Sequence, residues 1–162
     1  YCHTTWFHFT SFSGFLYDPV HGHKKAWSVA RRTSWQGDDT LDPIPFDDIL
    51  VNSGDNWNRF GNFYLVPLDG IYYVTISVGA LATKPVQVNL LDNGVKKLSV
   101  TGTSTNHDGV RLISRSGIVH LKKDHLVTLR AERNTGLYSS SLYRQTSFSG
   151  FLLFPWDQDP KA

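Results

Sequence analysis

The eight residues IYYVTISV at 71–78 put Tyr72, Val74, Ile76 and Val78 on one side of an extended chain and Tyr73, Thr75 and Ser77 on the other. Side chains of a strand alternate faces with a period of two, so this spacing specifies a strand with one face in an apolar core. The pattern returns in VQVNLL at 86–91, which runs into Asp92-Asn93-Gly94; the Asn-Gly pair suits a tight hairpin turn into VKKLSV at 95–100. Further strands are predicted at 117–121, 126–132 and 147–154, separated by turns at Lys122-Lys123-Asp124 and Asn134-Thr135-Gly136. Residues 33–45, with Gly37, Pro43 and Pro45, read as a long loop. Glu132 is the one glutamate in a chain rich in β-branched and aromatic residues, a bias that favours pleated sheet over helix. Short strands with frequent turn signals predict a sandwich or jelly roll.

Composition narrows the function. With 40% hydrophobic and 19% charged residues, the chain is too apolar for disorder and too evenly mixed for a membrane span. Its formal charge of +2 gives no broad field to hold a polyanion, so nucleic acid is not an expected partner. Cys2 is the single cysteine, which leaves an interchain disulfide as its one disulfide option. A start at Tyr1 without methionine or an apolar h-region predicts a processed, secreted product. No nucleophile elbow, P-loop, dinucleotide-binding glycine pattern or His-Glu-x-x-His is present, so no catalytic residues are assigned and an enzyme is not expected. His3, His8, His21 and His23 sit near Cys2 without the spacing of a closed metal site and read as part of a solvated connector. Lys24, Lys25, Arg31 and Arg32 read as a solvated entry to the first strand.

Three blocks, taken in order, resemble the globular head of the complement C1q family. They are AWSVAR at 26–31, with Trp27 where phenylalanine is commoner; NSGDNWNRFGNFYLVPLDGIYYV at 52–74; and GLYSSSLYRQTSFSGFLLF at 136–154. The resemblance implies an all-β, ten-stranded jelly-roll sandwich of the C1q/tumour-necrosis-factor-like kind over residues 26–156, followed by a tail at 157–162. It also implies a trimer or higher assembly. Gly61 and Gly70 bound strands where a positive φ is expected. Asp124 stands at the family's turn glycine and His125 at its usual aspartate; aspartate tolerates a left-handed turn, so the hairpin is expected to survive. Some relatives bind calcium in the loop that here reads GTSTNHDGVRL at 102–112, where Asp108 is the single carboxylate. Calcium wants six to eight oxygens, several of them from carboxylates, so the loop does not support calcium and no cofactor is expected.

TSFSGFL occurs twice, at 10–16 and at 146–152. Residues 1–25 therefore resemble the last strand of a preceding domain of the same kind plus a connector, and residues 6–16 are expected to form an additional N-terminal strand docked on the domain or on a neighbour.

Function is expected in the loops, which a rigid sandwich presents at its two ends. Loops 33–45, 81–85, 102–112 and 134–145 should share one end, the apex of the trimer that the resemblance implies. The candidate ligand-binding residues there are Asn106, His107, Asp108, Arg111, Asn134, Tyr138 and Tyr143, since tyrosine offers a ring face to sugar C–H groups while Asn, Asp and Arg pair with hydroxyls. Trp35 is a candidate exposed stacking residue, and Trp57 is expected to fold inward. Short family members without a collagen stem act in invertebrates as soluble lectins of innate defence. The function this implies is a secreted pattern-recognition lectin whose partners are glycans or microbial surface polysaccharides. The alternatives are a self-assembling matrix protein and a trimeric receptor-binding signalling ligand.

Overall fold

The computed structural model describes residues 24–81, 84–102 and 111–156. The additional N-terminal strand at 6–16, Cys2, the 157–162 tail, Asn106, His107 and Asp108 lie outside the described residues. Twelve strand segments are present among the described residues: β1 (Ala26–Ala30), β2 (Trp35–Gln36), β3 (Asp48–Ser53), β4 (Trp57–Asn58), β5 (Phe63–Leu65), β6 (Gly70–Ala80), β7 (Val86–Asp92), β8 (Val95–Gly102), β9 (Arg111–Leu121), β10 (Leu126–Ala131), β11 (Gly136–Tyr138) and β12 (Ser147–Pro155). The two-residue pieces β2 and β4 account for the difference from ten. No helix occurs among these residues, so none is long and apolar enough to cross a membrane.

The strands form an all-β jelly roll of two antiparallel sheets. In the first, β6 is central: β9 pairs along its whole length, from Gly70 opposite Leu121 to Ala80 opposite Arg111. Its other side carries β12 and then, at Gly79 and Ala80, β11. Beyond β12 lie β1 and the edge strand β3, and β2 continues from β11. The second sheet runs β4-β5-β10-β7-β8. The β7–β8 hairpin turns at Asn93 and Gly94, both at positive φ as a primed turn requires. Asp124 also takes a positive φ of 66°, which keeps the β9–β10 turn without a glycine. Gly61 and Gly70 are not among the positive-φ residues, contrary to expectation; a Cβ on Gly70 would instead collide with Leu152, so space and not torsion selects glycine there.

Alternation along β6 decides the core. Tyr72, Val74, Ile76 and Val78 are buried between the sheets, where they meet Leu90 and Val88 of β7, Leu129 of β10 and Phe148 of β12. Trp27 of β1 stacks on Tyr64 of β5 with ring centroids 3.9 Å apart, and Phe148 sets its edge against Trp27 and Trp57. Trp57 is buried, as its inward assignment required. Truncating a ring of this kind costs about 3–5 kcal/mol. Gly150 of β12 lies beneath the Trp27 indole, and a Cβ there would run into the ring.

Two further expectations are corrected. Trp35 is not an exposed platform: it is half-buried against the rim of the core, because β2 pairs with β11 and draws the loop inward. Arg31 is not solvated either. It is 6% exposed, donates to the carbonyls of Pro45 and Thr33, and burial lowers its pKa. Loop 33–45 thus packs over the sandwich, burying Ile44 and bridging Leu41 to Ala131.

Candidate functional site

The sandwich has two unlike ends. At the base, the Lys25 carbonyl accepts the Leu152 N–H at 2.9 Å and the Asp69 carbonyl accepts the Trp156 N–H at 2.9 Å, so the first and last described residues leave from the same end. At the opposite end, the apex, the connections close on one another. The Pro85 carbonyl accepts the Gly136 N–H at 3.2 Å, Lys84 pairs with Asp38 at 3.0 Å, and the Ser34 hydroxyl donates to the Ser139 carbonyl at 3.1 Å. Loops 33–45, 81–85 and 134–145 therefore meet, and the segment between Gly102 and Arg111 starts and ends beside them.

An open hollow of about 430 Å³, with a mixed polar and apolar lining, lies at this end. Gln87, Thr101, Arg133 and Thr135 supply its polar lining, with Pro85, Val86 and Gly102 between them. Thr135 serves the scaffold, since its hydroxyl accepts the Gln87 N–H at 3.2 Å and is itself buried. Gln87 and Arg133 are exposed and offer both donors and acceptors. The exposed Asn134 follows Arg133 at a φ of 60°, in the turn that joins β10 to β11.

The expected site residues do not all gather there. Arg111 is exposed at the start of β9, opposite Ala80. Tyr138 is half-buried in β11, where its carbonyl accepts the Thr146 hydroxyl at 2.9 Å. Tyr143 is 71% exposed, but its turn belongs to another flank, where Arg144 pairs with Asp48. Gln87, Thr101 and Arg133 were not anticipated: two lie within regular strands and the third abuts one, and their nearness to one another depends on the β7–β8 and β7–β10 pairings.

A second concave region follows the open flank between β3 and the 55–62 loop. Asn52 shapes that loop by accepting the Trp57 N–H at 2.9 Å, and Asn58 accepts the N–H groups of Phe60 and Gly61 at 3.0 and 2.8 Å. The result projects Phe60, 90% exposed, with the Arg59 guanidinium 5.7 Å from its ring centroid. A hollow of about 400 Å³ and one of about 500 Å³ flank it, sharing Ile49, Arg59 and Phe60. In the second hollow, Asp48 accepts from Arg32 and Arg144, which together hold its pKa down at about 2, while Asp48 raises the pKa of Arg32.

The outer face of the first sheet divides in two. Near the base it carries Ile71, Tyr73, Ile118 and Phe154, with Trp156 tilted over His120 at 4.9 Å and His120 bonded to Asp69 at 2.6 Å. Toward the apex it carries hydroxyls: Thr75 bonds Ser116 at 2.7 Å and Ser28 bonds Ser149 at 2.8 Å. Hydrogen bonds from Ser116 and Thr75 lower the pKa of the Tyr73 phenol.

Two antiparallel sheets closed by a C-terminal strand between β1 and β6 define a head of the C1q/tumour-necrosis-factor-like class. The family model for the C1q domain matches residues 26–153, and the chain belongs to the C1q domain family. It is 34% identical over 144 residues to human complement C1q tumor necrosis factor-related protein 2, a match that covers 86% of this chain and 48% of that relative. The chain thus spans about half the length of the curated relatives it matches. Among solved structures, the globular domain of zebrafish complement 1qA protein superposes with a TM-score of 0.64 at 19% identity, covering 82% of this chain and all of that one. Eiger TNF from S. frugiperda gives 0.64 at 12% identity, covering 86% of this chain and 99% of that one. At these identities the likeness concerns the fold.

Proposed function

We propose that this chain is a secreted, non-enzymatic recognition head that assembles as a trimer through the outer face of its first sheet and binds carbohydrate at its apex. The observation that carries the reading is the hollow at the apex, where Gln87, Thr101 and Arg133 stand beside the apolar Pro85 and Val86. Sugars present paired donors and acceptors on each ring, and Arg, Gln, Asn and Thr side chains answer them in kind. Asn106, His107 and Asp108, which lie outside the described residues, carry groups of the same chemistry and belong to the same reading. A shallow open site suits weak single-site binding, which a trimer strengthens by presenting three copies.

A second reading, a receptor-binding ligand, is favoured by the apolar flank. Ile49, Leu50 and Val51 of β3 are exposed, as are Phe60 and Leu65, and Ile49, Phe60 and Leu65 line one hollow. The human relative is named as tumor necrosis factor-related, which points the same way.

One experiment separates the two. The protein is applied to a glycan array and to cultured cells, each with and without competing sugar, alongside Arg133→Ala and Phe60→Ala variants. Recognition of sugar predicts saturable, competed binding that falls at least tenfold in Arg133→Ala and is unchanged in Phe60→Ala. Cell binding that ignores sugar and is lost in Phe60→Ala establishes the flank instead, and an array with no retained glycan removes the lectin reading.

A further inference from the structure

Four residues of TSFSGFL at 146–152 are fixed by the slot between β1 and β6: Thr146, Phe148, Gly150 and Leu152. Thr146 is buried, accepting the Gly79 N–H at 3.3 Å and donating to the Tyr138 carbonyl at 2.9 Å. Ser147 and Ser149 sit on the outer face, Ser149 against Ser28. Phe148 fills the space between Trp27 and Trp57. Gly150 leaves room for the Trp27 indole, Phe151 lies 5.5 Å from the Tyr73 ring, and Leu152 occupies the space left by Gly70. A change at 148, 150 or 152 brings a cavity or a clash, and a change at 146 orphans the Gly79 amide. The slot therefore accepts a narrow set of sequences. The chain spells one of them a second time at 10–16.

We infer that residues 10–16 are a spare closing strand that fits the slot between β1 and β6 of a second head of this fold. In register, Thr10 stands for Thr146, Phe12 for Phe148, Gly14 for Gly150 and Leu16 for Leu152. The recipient is another copy of this domain whose own closing strand is weakened or displaced. In an intact head β12 keeps the slot, because it pairs with β1 on one side and with β6 on the other. Where β12 is lost, β1 and β6 are left with open rows of N–H and C=O groups, and a strand of the right pattern closes them by edge pairing. The inference is independent of which ligand the apex binds.

The test uses the full chain. Gly150→Val places a side chain against Trp27 and weakens β12, while Gly14→Val makes the same change in the copy. Thermal melting over a wide range of protein concentration, with sedimentation analysis, compares Gly150→Val, Gly14→Val and the double variant. Gly150→Val should retain a folded population whose Tm climbs with concentration, as molecules donate residues 10–16 to one another. The double variant should lose that climb, and Gly14→Val alone should melt as the parent does. If Gly150→Val yields no soluble protein, Leu152→Ala with and without Leu16→Ala repeats the comparison through a milder cavity. Single and double variants that melt alike at every concentration overturn the proposal, as does a single variant whose advantage over the double is the same at every concentration.

Discussion

At the scale of residues, the core carries polar atoms that gain nothing from their burial. Trp27 Nε1, Trp57 Nε1 and the Tyr64 hydroxyl are buried with no hydrogen-bond partner among the described residues, and burial raises the Tyr64 pKa. A hydroxyl without a partner loses its hydration on folding and recovers nothing, so Tyr64→Phe should raise stability by about 1 kcal/mol while keeping the stack on Trp27. Chemical denaturation of the two proteins checks this, and a clear loss of stability would show that the hydroxyl has a partner. Asp48 makes the opposite case. Its pKa is lowered from 3.8 to about 2 by Arg32 and Arg144, so the folded state favours the ionised carboxylate. Stability from this site is complete above the ordinary carboxylate value and is lost as pH falls from 3.8 to about 2. The Tm of the parent should therefore exceed that of Asp48→Asn at neutral pH, and the gap should close across that acid window. Of the apical residues, Asn134 sits in the turn that Asn134-Thr135-Gly136 announces, whereas Arg111, expected within the loop 102–112, opens β9. Gln87 and Thr101 carried no local signal: each is an outward residue on a strand, and neighbouring strands alone make them a site.

At the scale of elements, alternation and turn chemistry located six of the twelve strands among the described residues, five of them to within two residues. The 71–78 expectation became β6 at 70–80, and Asn93-Gly94 became the hairpin turn. Strand β9 was foreseen from 117, whereas it begins at Arg111. Its first half alternates weakly because Arg115 and Ser116 stand where a core strand would show apolar residues, and pairing with β6 extends it regardless. Loop 33–45 was read as irregular, yet it holds the two-residue strand β2 and is packed. A segment without periodicity can still bury Ile44 and Phe46, since backbone contacts to β10 and an Asn62 side chain that accepts the Phe46 N–H meet its polar groups. Trp35 followed the same logic: β11 supplied a partner strand that no local pattern announces.

At the scale of the whole molecule, the outer face of the first sheet is the surface on which assembly depends in the proposed reading. Ile118 is 66% exposed on that face, so a charge there should leave the isolated head folded while repelling a partner sheet. Ile118→Asp is expected to convert the proposed trimer to monomers with little change in the circular dichroism spectrum, as measured by native mass and sedimentation. An unchanged mass would place assembly on another surface. Seen at this scale, the sequence by itself determined the sheet-rich class, the family and the positions of the main strands, because period-two alternation and turn residues act over a few neighbouring positions. The tertiary structure decided which loops share the apex, that Arg31 and Trp35 are drawn inward, and that Gln87, Thr101 and Arg133 surround one hollow. These outcomes depend on pairings between residues far apart in the chain, whose free energy appears once two sheets have closed on a common core.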